Sequence, residues 1–157
     1  MARTWIASLT NGIVAGATAT LARELISNLD VGIRARPTSD THERAVQRMA
    51  DVTHVNLGPA ERAAHRRAGI GSVFGFVNGV LAVSLFAAFR GRRRPPLPVA
   101  AGVIGIGGML VADGSMTALG VTDPRRWGAE GWFEDALPYV AYGLVAAATL
   151  NRLDGAD

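Results

Sequence analysis

The chain contains no cysteine and no lysine, and only 6% of it is aromatic. The first absence excludes disulfides, thiolate metal sites and cysteine nucleophiles. The second places all 16 basic charges on arginine. With abundant alanine and glycine, that bias reads as a GC-rich genome, and the pI near 10.5 is its by-product. The arginines flank apolar runs and do not interleave with aromatics along one face. They act as headgroup and topology signals, and nucleic acid is not an expected partner.

Histidine is scarce as well. His42, His54 and His65 match no metal-ligand spacing. The stretch Gly105-Ile106-Gly107-Gly108 lacks the preceding strand that a phosphate-cradling loop needs, so its glycines read as packing residues. No Ser/His/Asp set has a defensible spacing, and the expectation is a protein that is not an enzyme and has no cofactor.

Hydrophobicity is what the chain has in quantity. Apolar residues make up 49% of 157 positions, and the mean hydropathy is +0.22. Thr4 to Ala22 is an uncharged run of 19 residues, continued by Arg23-Glu24 and Leu25 to Leu29. It is too long for the apolar part of a cleaved signal and reads as a retained span. Ile70 to Phe89 is uncharged over 20 residues, which at helical rise matches a hydrocarbon layer of roughly 30 Å. Four arginines and Pro95-Pro96 then stop it. A third run starts at Leu97 and is interrupted only by Asp113. The fourth, Ala136 to Asn151, follows Glu134-Asp135, with Pro138 expected in its first turn.

The fold expected is therefore all-α: a four-transmembrane-helix bundle forming one membrane domain over residues 1–157, with spans at about 4–29, 59–90, 97–121 and 135–152. The long connection between the first two spans contains a candidate surface amphipathic helix at about 40–56. Asp40 and Glu43 have capping-box spacing there, and Val46, Met49 and Val52 share a side. Trp5, Trp127, Trp132, Phe133 and Tyr139 fall near span ends, as interfacial aromatics do. Arginine placement decides no orientation, because both sides carry many.

Each span also carries small residues four apart: Gly12 and Gly16; Gly71, Gly75 and Gly79; Ala101 and Gly105; Gly143 and Ala147. In lipid the hydrophobic effect does not drive two apolar helices together, so close backbone approach must. These glycines are the expected helix-packing positions.

Ionisable groups inside spans are costly and stand by default as functional candidates. Arg23, Glu24 and Asp113 qualify, with Asn78 as an uncharged polar companion. A weak internal repeat lays the third span on the first at an offset of 90 and places Arg23 opposite Asp113, suggesting a buried pair. That pair reads either as a structural ion contact or as part of a proton or cation relay.

Two stretches, "NLDVGIRARPTSDTHERAVQRMAD" and "ADGSMTALGVTDPRRWGAEGWFEDALPYVAYGLV", resemble an uncharacterised family of small four-helix membrane proteins of high-GC Gram-positive bacteria. The resemblance implies a multi-pass protein of the bacterial plasma membrane and no particular activity. Two roles follow as expectations. One is a non-enzymatic structural or accessory partner in the bilayer, joined to a second copy or to another membrane protein. The other is a proton-coupled channel or transporter for a small solute or ion, acting as an oligomer.

Overall fold

The computed structural model describes residues 2–91 and 93–155; Arg92, one of the four arginines of the basic stop, lies outside them. Five α-helices follow in order: α1 (Ala2–Arg34), α2 (Thr41–Val52), α3 (Ala60–Arg90), α4 (Leu97–Ala118) and α5 (Ala129–Gly155). A single 3-10 turn, Pro124–Arg126, precedes α5. There is no strand among the described residues.

Three helical stretches, Trp5–Arg34, Ala60–Arg90 and Leu97–Ala118, are long and apolar enough to cross a bilayer. α5 has the length, 27 residues, but Pro138, Tyr139, Tyr142, Asn151 and Arg152 dilute its apolar run. It begins at Ala129, earlier than the apolar pattern indicates, so Pro138 lies inside the helix and not in its first turn. The proline ring there leaves the Glu134 carbonyl without its usual helical N–H donor.

α1 runs past Leu29 because its last turn is tied together by charge. Arg34 meets Asp30 one turn back at 3.6 Å. The helix stops at Ala35, whose φ of 51° is the left-handed C-terminal conformation, just before Arg36-Pro37.

α2 starts after Asp40, as the cap spacing suggests, but Asp40 makes no side-chain cap bond. Its carboxylate pairs with Arg44 at 2.9 Å instead. The face that α2 buries is Ala45, Val46 and Ala50, while Val52 is exposed. α2 packs on α3.

α1 packs against both α3 and α5, and α4 packs against α5; α3 and α4 touch far less. The shared core consists mostly of small side chains: Ala15, Ala19, Ala87, Ala100, Ala101, Ala146 and Ala147, with Val83, Ile104, Tyr139, Tyr142 and Leu150. Large apolar side chains point outward, Phe89 at 86% exposure and Leu110 at 67%. A small-residue interior under a large-residue exterior reverses the arrangement of a water-soluble bundle.

The glycines make that interior possible. A Cβ at Gly12 would lie 2.6 Å from Ser84 Cα, and one at Gly16 2.8 Å from Val80 Cα, so α1 and α3 meet backbone to backbone. A Cβ at Gly79 would strike Thr20 Oγ1. Gly105 and Gly143 face each other across α4 and α5, where a Cβ at Gly143 would strike the Ala101 carbonyl oxygen. Gly71 and Gly75 have a different neighbour: both lie under His42 of α2, not under a second long helix.

α5 is tied to α1 at both ends. Glu130 and Glu134 pair with Arg34, the latter at 2.9 Å. At the opposite end Asn11 donates to Asp154 at 3.2 Å, and Asp154 also pairs with Arg90 of α3. α5 therefore runs antiparallel to α1 over nearly its whole length.

Candidate functional site

Where α1, α2, α4 and α5 converge, the chain encloses a polar cavity of about 420 Å³. Arg23, Glu24, His42, Asp113, Asp135 and Tyr139 line it, and Ser27, Asn28 and Thr41 add uncharged polar groups. Arg23, Glu24 and Asp113, picked out in the sequence as ionisable groups within spans, are brought together here. Asn78 is not: it sits half-buried on α3 and does not line the cavity.

The expected Arg23–Asp113 ion pair is not formed among the described residues. α5 lies between α1 and α4, and its Tyr139 takes the guanidinium. Arg23 donates to the Tyr139 hydroxyl at 3.4 Å and stacks over the tyrosine ring at 5.4 Å from the centroid. Its counter-charge is the adjacent Glu24 carboxylate. Asn28 bonds to the backbone carbonyl of Glu24 at 2.8 Å and leaves that carboxylate free for the arginine. Tyr139, expected at an interface, is 7% exposed and belongs to the core.

Asp113 meets Asp135, a residue that reads in sequence as part of the charged flank of the fourth run. The two carboxyl groups stand near each other on α4 and α5 where both line the cavity. Asp135 Oδ2 is buried, and no hydrogen-bond partner among the described residues reaches it. The signal that could have found Asp135 is its spacing: it precedes Tyr139 by one helical turn, on the same face of α5.

At the rim, Arg36 pairs with Asp30 at 2.7 Å and with Glu134 at 3.6 Å, and Arg44 donates to the Val121 carbonyl at 3.1 Å. Trp127 donates to Thr122 at 3.2 Å and stacks edge-on with Trp132 at 5.1 Å. His42 closes the α2 side, and burial, with Arg23 adding to it and Glu24 opposing, holds its imidazole below the usual range.

Below the cavity the helices meet in dry, apolar contact through Ala15, Ala19, Ala146, Ala147 and Leu150. A solute entering at the Arg23 level of one chain meets this core. No group of three or more His, Asp or Glu side chains that could hold a metal ion occurs among the described residues. In comparisons with known proteins, the chain matches no family model, no curated protein and no solved structure.

Proposed function

We propose that the chain is a non-enzymatic, multi-pass protein of the bacterial plasma membrane that binds a small polar solute or ion in the cavity between α1, α2, α4 and α5. α5 serves as the fourth span. It lies along α1 from Arg34 to Asn11 and is bonded to it at both ends, so a bilayer crossed by α1 encloses α5 too. The large apolar side chains on the outward faces meet lipid or a second copy of the chain.

The observation that carries the reading is the placement of Arg23, Asp113 and Asp135 on three different helices around one cavity instead of in a dry contact. Charged groups inside a bilayer are expensive to keep, and those that persist line paths for ions or solutes. The dry core beneath the cavity means that transport through one copy requires the helices to move, as in alternating access.

Reconstitution into liposomes tests this. The expected result is flux of a proton or small solute that is lost in Asp113→Asn. If no solute tested gives flux and a fixed membrane partner is recovered from native membranes, the role is that of an accessory subunit and this proposal is wrong.

A further inference from the structure

Along the outside of the α4–α5 contact runs an apolar groove of about 370 Å³, from Pro98 to Met109 on α4 and from Leu144 back to Ala136 on α5. Gly102 and Gly105 put no side chain into it, and Ile106, Val140 and Leu144, all exposed, border it. The lining carries no charge, and its one hydroxyl, that of Tyr139, is taken by Arg23. At helical rise the stretch from Pro98 to Met109 is about 16 Å long. Left empty in a bilayer, such a slot forfeits the dispersion contacts of its walls, so a chain of matching width fills it.

One end of this slot is positively charged. Pro98 lies in the first turn of α4, and Arg93-Arg94-Pro95-Pro96 leads directly into that turn. Both arginines are exposed. Arg94 donates to the Asp154 backbone carbonyl, but the Asp154 carboxylate is paired with Arg90. The Arg93 side chain meets no partner among the described residues. The first turn of α4 has no acidic residue and no side-chain cap, so its partial positive charge adds to theirs.

Resting on the membrane placement proposed above, we propose that the α4–α5 groove seats one acyl chain of an anionic phospholipid whose phosphate is held by Arg93 and Arg94. The slot supplies the apolar half of the recognition, and two arginines without an acid of their own supply the polar half at the depth of a headgroup. A second copy of the chain fits the same groove less well. Two copies related by a two-fold axis along the membrane normal set Arg93 and Arg94 at the same depth on both sides of the contact, where like charges repel; an anionic lipid neutralises them instead.

The test is native mass spectrometry of the purified full-length protein in a mild detergent, titrated with dioleoyl phosphatidylglycerol and, separately, with the zwitterionic dioleoyl phosphatidylcholine. The unmodified chain holds one phosphatidylglycerol at concentrations at which phosphatidylcholine does not stay bound. Arg93→Gln with Arg94→Gln weakens phosphatidylglycerol binding by about tenfold or more and removes the preference. Gly102→Leu fills the groove while leaving both arginines in place: a Cβ at Gly102 meets nothing within 4 Å, so the variant folds, and it too loses the lipid. Glycerol 3-phosphate, a phosphate without acyl chains, does not compete.

Equal binding of the two lipids by the unmodified chain overturns the proposal. Undiminished binding in Gly102→Leu overturns the groove as the acyl seat, and competition by glycerol 3-phosphate replaces the lipid with a free phosphate. A dimer that Gly102→Leu dissociates makes a second copy the occupant and overturns the lipid. A chain that stays in solution once detergent is withdrawn breaks the membrane reading itself, whereas a detergent-dependent chain without lipid preference breaks only this site. Liposome flux and its loss in Asp113→Asn test the polar cavity independently of either result.

Discussion

Tyr142 on α5 donates its hydroxyl to the backbone carbonyl of Gly79 on α3 at 2.6 Å. Thr20 of α1 packs against the same glycine, so three helices are pinned at one level. Tyr142 is 1% exposed, and in hydrocarbon its hydroxyl has no water to turn to. Tyr142→Phe removes this bond with little change of shape and lowers stability by about 0.5–1.5 kcal/mol. Thermal unfolding in a mild detergent measures the loss; an unchanged midpoint would show that the bond contributes nothing net.

The glycines divide into two classes that substitution will separate. Gly143 packs against the Ala101 carbonyl oxygen, which is backbone and cannot turn aside. Gly143→Ala therefore pushes α4 away from α5, and the overpacking costs about 1–3 kcal/mol. A Cβ at Gly102, on α4 as well, meets nothing within 4 Å. Gly102→Ala is neutral, or gains up to about 1 kcal/mol from helix propensity. Loss of stability from both to the same degree would mean that intrinsic propensity, and not helix contact, governs these positions.

At the end of the bundle opposite the cavity, Arg90 and Asp154 tie α3 to α5 with side-chain exposures of 8% and 17%. Removing one member leaves the other charged in a low-dielectric contact. Asp154→Ala costs about 3–5 kcal/mol, whereas replacing both together with apolar residues costs far less. A double-mutant cycle on chemical unfolding resolves this, and additive losses would show the pair to be uncoupled.

The long helices and the glycine contacts were legible because both arise from local features: uninterrupted apolar runs and small residues four apart. What was not legible arose from tertiary neighbours. An offset of 90 in a weak repeat set Arg23 opposite Asp113, yet α5 lies between their helices and Tyr139 receives the guanidinium. Asp135 looked like a terminal charge because it directly precedes an apolar run. Only the early start of α5, held by Glu130 and Glu134 on Arg34, carries it into the bundle. Gly71 and Gly75 read as a seam for another span. They accommodate a histidine from a connecting helix, and glycine spacing alone cannot tell these two uses apart.

That histidine makes α2 sensitive to acid. The His42 ring sits on Gly75, where an added Cβ would lie 2.9 Å from Nε2, and no bulkier residue would admit it. Burial and the nearby Arg23 hold the docked imidazole below its ordinary pKa of about 6.5, Glu24 opposing. With α2 docked His42 is therefore neutral, whereas undocked it takes a proton near its ordinary value. Docking is strongest above about pH 6.5 and weakens as pH falls from there through the lowered docked value, because the undocked form binds the extra proton. Hydrogen exchange at the α2 amides from Ala45 to Ala50, corrected for the intrinsic pH dependence, should show protection declining over that interval. His42→Gln, neutral at every pH, should flatten the profile. A decline that persists in that variant would show that His42 is not its source.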